Sequence, residues 1–472
     1  MTAAPPGSAA LGAARAAAGF EPEADGLPVP RRYRAVLAIA LGIVLAVLDT
    51  SVVNVALPTM ARELHASAAS SVWILSGYQL AIVATLLPLA ALGERVGYRR
   101  VYMAGLLLFT ASSLLCALAP SLSWLVAARV LQGFGAAGIM SVNGALVRFT
   151  YPHALLGRGV GLNALVVSLA FAIGPSVAAF ILFLGPWPWL FAVNLPVGLL
   201  AIAISMRSLP ASPLSPSPMN WRAAILTAGS FALFFLSVGA LLRGQRPLVA
   251  GAGVLLALLC GVVLLRLERE DPHPLIPVDL LRIPVFRLSV LSSMCAFTAQ
   301  MLTLVAMPFL LETVLHRPTT IVGIVMTAWP LALGVVGLLA GRLSDRLPGA
   351  ALGGIGMVLL SIGLAALAAL SGPGGRDWLL AGGMTLGGIG FGLFQSPNNR
   401  ILLSSGPRHR TGAAAGMLAT GRLLGMTAGA ILATVCFHLV PAHAPRWDFV
   451  IGAALALLAA VSSLQRLSRR AA

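Results

Sequence analysis

Two residues of this sequence have types and settings that suit proton chemistry. Asp49 lies within an apolar run that ends at Pro58, and Arg129 lies within another, from Leu122 to Val147. If such a run crosses a bilayer, an ionised carboxylate at its centre costs at least ~2.5–3.5 kcal/mol on insertion scales, so the acid needs a counter-charge or a task. At a rise of about 1.5 Å per residue, Asp49 falls about 14 Å and Arg129 roughly 10 Å below the same membrane face. Their depths agree, which allows two readings. In one, a static ion pair ties two helices together. In the other, burial disfavours the charged carboxylate while the guanidinium favours it, so a change in their separation moves proton affinity between the two faces. One proton entering down about 100 mV releases ~2.3 kcal/mol and a unit of pH difference ~1.4 more, which sustains roughly a several-hundred-fold substrate gradient without a nucleotide.

Other chemistries find no footing. Gly133, Gly135 and Gly138 spell GxGxxG, but the dinucleotide fingerprint needs a preceding strand and a helix opening at the loop. These glycines lie in mid-run, where small residues let helices approach closely. Cys116, Cys260, Cys295 and Cys436 stand singly inside apolar runs, without zinc or disulfide spacing, and read as small core residues. All 31 basic residues are Arg, so Schiff-base and phosphate-loop lysines are absent. No enzyme and no cofactor is expected.

The elements that must position Asp49 and Arg129 follow from composition. Hydrophobic residues make up 58% of the 472 and charged residues only 10%, with a mean hydropathy of +0.94; soluble domains carry about 25% charged residues. A water-soluble fold is excluded. The apolar runs are about twenty residues long, enough to cross ~30 Å of hydrocarbon as helix, and they lack the period-two alternation of a membrane barrel. Fourteen spans are expected, near 35–58, 72–92, 101–119, 122–147, 160–183, 188–206, 222–242, 247–265, 289–311, 321–341, 351–371, 378–397, 412–434 and 448–464. Pooling alternate loops puts 23 Arg on the side of the termini and 6 on the other. The positive-inside rule then makes both termini cytoplasmic in a cytoplasmic (inner or plasma) membrane. The net charge of +17 therefore reflects orientation; no soluble segment is long enough to gather a nucleic-acid face. Residues 1–34, rich in Ala and Pro with Glu21, Glu23 and Asp25, read as a disordered cytoplasmic tail and not as a signal peptide. Residues 465–472 form a second tail.

The loop Gly93-Glu94-Arg95-Val96-Gly97-Tyr98-Arg99-Arg100 after the second span has a counterpart, Gly341-Arg342-Leu343-Ser344-Asp345-Arg346, after the tenth. Setting 207–288 aside as an insertion of two extra helices leaves two six-helix halves, 35–206 and 289–464, the mark of a duplicated transporter. On four motifs the chain resembles the fourteen-helix drug:proton antiporter family of the major facilitator superfamily, of the multidrug and quaternary-ammonium efflux type. Leu48 to Pro58 (LDTSVVNVALP) is similar to its first-helix signature, and Gly93, Glu94, Arg95, Gly97, Arg99 and Arg100 to its glycine and arginine turn. There Glu94 replaces the usual Asp, and Ala90 stands where Gly is frequent. Arg129 to Gly138 is the third match, and Gly174-Pro175, similar to the motif of antiporters, the fourth.

The resemblance implies an all-α membrane protein of two six-helix bundles plus two inserted helices, rocking about a midplane cavity. It implies antiport of protons against drugs or other small amphipathic compounds, and hence multidrug efflux and antibiotic resistance. The expected partners are a small-molecule substrate, protons and the lipid bilayer, with no nucleic acid and a monomeric state. Asp49 and Arg129 would couple the proton, and Gly93 to Arg100, Asp345, Arg346, Gly174 and Pro175 would gate.

In such a fold Asn54, Tyr78, Gln79, Trp329, Phe394, Gln395, Asn398 and Arg422 would face the cavity, as would Trp73 and Asn399. The plainer reading of the aromatic and amide residues is helix packing, with Trp73 an interfacial anchor. Arg422, near a midplane with no equally deep acid in its half, would meet an anionic substrate group, a carbonyl or water. Glu312, His438 and His443 read as solvated residues at the outer face. Two other functions stay open: export of a single metabolite or self-made antibiotic, and a receptor or scaffold that never transports, against which the buried acid and the repeated halves argue.

Overall fold

In the computed structural model of the chain, residues 26–152, 155–210, 221–242, 247–270, 278–343, 347–372, 374–405 and 411–468 are described. Among them there is no β-strand, and fourteen long helices follow one another. They are α1 (Arg31–Glu63), α2 (Trp73–Val96), α3 (Tyr98–Ala117), α4 (Leu122–Thr150), α5 (Leu156–Leu184), α6 (Asn194–Ser208), α7 (Trp221–Leu242), α8 (Pro247–Glu270), α9 (Pro284–Phe309), α10 (Thr319–Leu343), α11 (Gly349–Ala369), α12 (Asp377–Ser405), α13 (Thr411–Leu439) and α14 (Ala444–Ser468). A lone π-helical turn, Leu310–Val314, extends α9. Local signals set several boundaries. Ser121 accepts a hydrogen bond from Trp124 N at the start of α4, a standard N-cap. Gly97, at φ +98°, makes the tight corner between α2 and α3, a left-handed conformation that only glycine takes freely.

Twelve helices are long and apolar enough to cross a membrane among the described residues, so this is a multi-pass membrane protein. The expected fourteen spans are not matched. Helices α7 and α8, of 22 and 24 residues, stand where the seventh and eighth spans were placed, and their described apolar stretches, Ile225–Phe234 and Leu248–Leu264, are not among the twelve. The helices also overrun the expected spans: α1 begins at Arg31 and ends at Glu63, since a helix carries its backbone hydrogen bonds with it into the polar zone and its terminal charges reach water there.

The same pairings occur twice. Contacts α1–α5, α1–α6, α2–α4, α3–α4 and α3–α6 recur as α9–α13, α9–α14, α10–α12, α11–α12 and α11–α14. Glycine makes the tightest of these possible in each set. A Cβ on Gly105 would lie 2.8 Å from Gly135 O, between α3 and α4, and one on Gly356 would lie 2.5 Å from Gly390 O, between α11 and α12. Between the sets run α2–α13, α5–α10 and α1–α9. Helices α7 and α8 pack on each other, and α7 also touches α2.

Among the described residues, the most extensive apolar core joins the two sets at one end. Away from the Gly93–Arg100 turn, one cluster joins Val52, Leu57, Met60 and Phe191 to Met301, Leu302, Phe309, Met326 and Phe437. Toward that turn, at the arginine-rich end, Tyr102, Ile139 and Leu146 form one core, which reaches the second set through Leu423, while Phe286, Val290, Leu402 and Met417 form another. The molecule is thus closed by apolar packing at the end away from that turn.

Candidate functional site

Asp49 and Arg129 meet. Arg129 Nη1 donates to Asp49 Oδ2 in a buried ion pair, and both side chains are almost wholly removed from the surface. The other carboxylate oxygen, Oδ1, accepts from Gln132 Nε2 at 3.1 Å and from Asn194 Nδ2 at 3.0 Å. Gln132 Oε1 in turn accepts from Arg129 at 2.5 Å, while its amide nitrogen lies 2.8 Å from Ser113 Oγ. Arg129 Nε donates to Ile74 O at 3.2 Å. The guanidinium lies 4.0 Å from the centre of the Tyr78 ring and 5.6 Å from that of Phe191, so its Nη2, which has no hydrogen-bond partner, faces π-electrons that attract a cation. Five helices, α1, α2, α3, α4 and α6, supply these groups. An ion pair removed from water holds only when its remaining lone pairs and protons are also met, and here nearly all are.

A cavity lies on the other side of Tyr78. It is walled by α1 (Ala46, Val47, Thr50), α2 (Tyr78, Gln79, Ile82), Met140, Val167 and Phe171 from the first set, and Phe297, Gln300, Pro330, Phe391, Gln395, Arg422 and Met426 from the second. A second lobe shares Val47, Met140, Phe297, Gln395 and Arg422 with it and adds Leu86, Asn143, Asn399 and Leu418. The added residues lie nearer the arginine-rich end on their helices, so the hollow runs from mid-depth toward that end. At the far end the two sets are stitched together: Thr59 donates to Glu312 Oε2 at 3.2 Å and Gln79 approaches Met301 Sδ at 3.6 Å.

The profile of the Major Facilitator Superfamily matches residues 39–285 and 289–471. The chain belongs to the major facilitator superfamily. It is 44% identical over 449 residues to the uncharacterized transporter YebQ of Escherichia coli K12, covering 95% of this chain and 98% of that protein. It is 27% identical to the riboflavin transporter RibZ of Clostridioides difficile, over 84% of this chain and 87% of the relative. It is 29% identical to the multidrug resistance protein Stp of Mycobacterium tuberculosis, over 84% of this chain and 75% of that protein. The chain is thus a major facilitator superfamily transporter, similar to proteins named for multidrug resistance and for riboflavin transport.

Within this superfamily fold the motif residues have definite surroundings. Gly93 is buried, and a Cβ there would come 2.7 Å from Val142 Cγ1. Arg100 reaches back to Val96 O at 3.3 Å and Arg99 donates to Met206 O of α6, while Glu94 is exposed and Arg95 half-buried. Asp345 and Arg346 lie outside the described residues. Gly174 and Pro175 are buried where α5 crosses α1. Pro175 has no N–H to give the carbonyl four residues earlier, and that carbonyl, Phe171 O, accepts instead from Ser51 Oγ at 3.1 Å.

Of the residues expected at the cavity, Tyr78, Gln79, Gln395 and Arg422 stand on its wall. Four do not. Asn54 turns to its own helix and donates to Thr50 O at 2.9 Å. Trp329 is fully buried against Phe391, and Phe394 is packed on the other side of that ring. Asn398 binds Ser293 Oγ at 2.8 Å and accepts from Arg466 Nη1 at 2.6 Å. Glu312 is not simply solvated, since its Oε1 is buried and its Oε2 closes the sealed end. A second buried acid, Asp448, stands at the very start of the last expected span, and its carboxylate meets only the Cys436 thiol among the described residues. The partners Gln132 and Asn194 and the cavity aromatics Phe171, Phe297 and Phe391 were not singled out. Gln132 sits within the quoted Arg129 motif, three residues on, which places it on the same helix face; nothing marks the others.

Proposed function

We propose that the protein is a proton-coupled antiporter that exports drugs or other small amphipathic compounds across the cytoplasmic membrane by alternating access. The observation that supports it most is the place of the Asp49–Arg129 pair, one side chain behind the wall of a cavity that is sealed at one end. Tyr78 belongs to both, standing among the residues around the hollow and against the guanidinium. In the present arrangement Arg129, Gln132 and Asn194 hold the charge of Asp49. A shift of α1 against α4 that parts the pair leaves a carboxylate in apolar surroundings, which takes a proton; return of Arg129 releases it. If parting and re-pairing occur with the cavity open to opposite faces, each cycle exchanges proton for substrate.

In this reading residues 35–206 and 289–464 are the moving bodies, 207–288 joins them with α7 and α8 also crossing the bilayer, and both termini are cytoplasmic, so the arginine-rich end faces the cytosol. The Gly93–Arg100 turn and Gly174-Pro175 govern the motion. Similarity to a multidrug resistance protein supports a broad substrate range, and similarity to a riboflavin transporter supports a second reading, export of one metabolite. Proteoliposomes carrying the protein, loaded with a panel of dyes, biocides and metabolites, separate the two by the number of compounds moved. In the same vesicles Asp49→Asn is expected to abolish flux driven by a pH gradient while retaining substrate binding; wild-type coupling in that variant removes Asp49 from the mechanism.

A further inference from the structure

Among the described residues on the walls of both lobes, Arg422 is the one charged side chain, and no acid faces it. It forms no hydrogen bond or ion pair, and its one polar-type contact is with the Phe297 ring, 5.8 Å from the guanidinium carbon. Arg129 differs in each respect: it is paired, fully buried and absent from the walls. The hollow is therefore electropositive at mid-depth, with its single charge uncompensated.

The other polar residues on the walls are the carboxamides Gln79, Gln300 and Gln395, with Asn143 and Asn399 in the second lobe, and the hydroxyls Thr50 and Tyr78, while the flat walls are Phe171, Phe297 and Phe391. Gln79 Oε1 has no partner. A guanidinium in a water-poor site prefers a planar oxyanion, which it grips with two parallel N–H donors. The rings favour a flat apolar body, and the amides suit carbonyl or hydroxyl groups at its edge.

We infer that the cavity selects aromatic monoanions, carboxylates or sulfonates on a flat ring system, with Arg422 as their counter-charge. This rests on the reading of the cavity as the substrate site and narrows its substrate class. It also sets the electrical sense of the cycle. A proton moving in and an anion moving out both follow an inside-negative potential, so about 100 mV acts on two charges and raises the attainable gradient about 50-fold for each. Exchange of a proton for a monovalent cation would gain nothing from that potential.

The test uses three probes that share one ring: naphthoate, naphthamide and naphthylmethyl-trimethylammonium. Their equilibrium binding to the purified full-length protein is measured by calorimetry, which needs no gradient. The wild type is expected to bind naphthoate about 10- to 100-fold more tightly than the cation, the range of a charge-assisted hydrogen bond. Arg422→Gln should erase that preference without weakening naphthamide, and Arg422→Lys should keep part of it. Equal or tighter binding of the cation, undetectable binding of naphthoate, or a preference that survives Arg422→Gln overturns the inference. Unchanged naphthamide binding shows that the variant is folded. Flux of naphthoate in proteoliposomes is then followed with and without a pH gradient: bound but not proton-driven naphthoate would sink the antiport reading and leave the anion site standing.

Discussion

The two halves of the molecule repeat one set of helix pairings and carry opposite polar chemistry. In the first, Asp49 and Arg129 neutralise each other, with Gln132, Asn194 and Ser113 completing the network across four helices. In the second, Trp329, Phe391 and Phe394 pack as a buried aromatic cluster, and the mid-depth arginine, Arg422, faces the cavity without an acid among the described wall residues. Packing geometry tolerates only small residues at helix crossings, so duplication preserves the glycines. Side chains that do not hold the crossings are free to diverge. A division of labour follows, with charge compensated in one half and offered to a ligand in the other.

The sharpest way to break this comparison is to remove one partner from the compensated half. Arg129→Leu leaves Asp49 buried without its counter-charge and should lower stability by about 3–5 kcal/mol, whereas Asp49→Asn combined with Arg129→Gln should recover much of the loss. Thermal unfolding of the purified protein reads both, and a single variant as stable as the double one would show that the pair is not needed for its own burial. The shared framework predicts matched, smaller effects. An alanine Cβ at Gly135 would lie 2.5 Å from Phe109 N and one at Gly390 2.5 Å from Leu360 N. Each substitution should therefore cost about 1–3 kcal/mol through overpacking; unequal losses in the melting curve would mean that the halves are less alike than their contacts. The smallest effect is expected at Asp448. Its buried carboxylate has only the weak donor Cys436 beside it, so Asp448→Leu should raise stability by about 1 kcal/mol and leave proton-driven flux unchanged. Loss of flux would place part of the coupling in the second half.

Much of the framework was legible because a bilayer constrains sequence harshly. Continuous apolar runs, the skew of Arg between loops and small residues at crossings each have one physical cause, and depth arithmetic alone brought Asp49 level with Arg129. The cavity wall was less legible. In a helix that is apolar all round, no 3.6-residue pattern distinguishes the face toward a hollow from the face toward a neighbour, so Trp329, Phe394 and Asn398 were indistinguishable from Gln395 and Arg422. Asp448 escaped because it falls on a span boundary, where a few residues decide between water and core. Helices α7 and α8 show the same limit from the other side, since length and hydropathy placed them without deciding whether they span.

The hydroxyl of Ser51 has a consequence for how motion spreads. It stands in for the amide that Pro175 lacks, and it does so two residues along the chain from Asp49. The proline-bearing segment of α5 is consequently latched to the very turn of α1 that bears the acid. Sliding α5 must either drag that turn along or strand a peptide oxygen in an oily interior. The rearrangement of a substrate passage and the state of the carboxylate are thereby geared together by a single side chain.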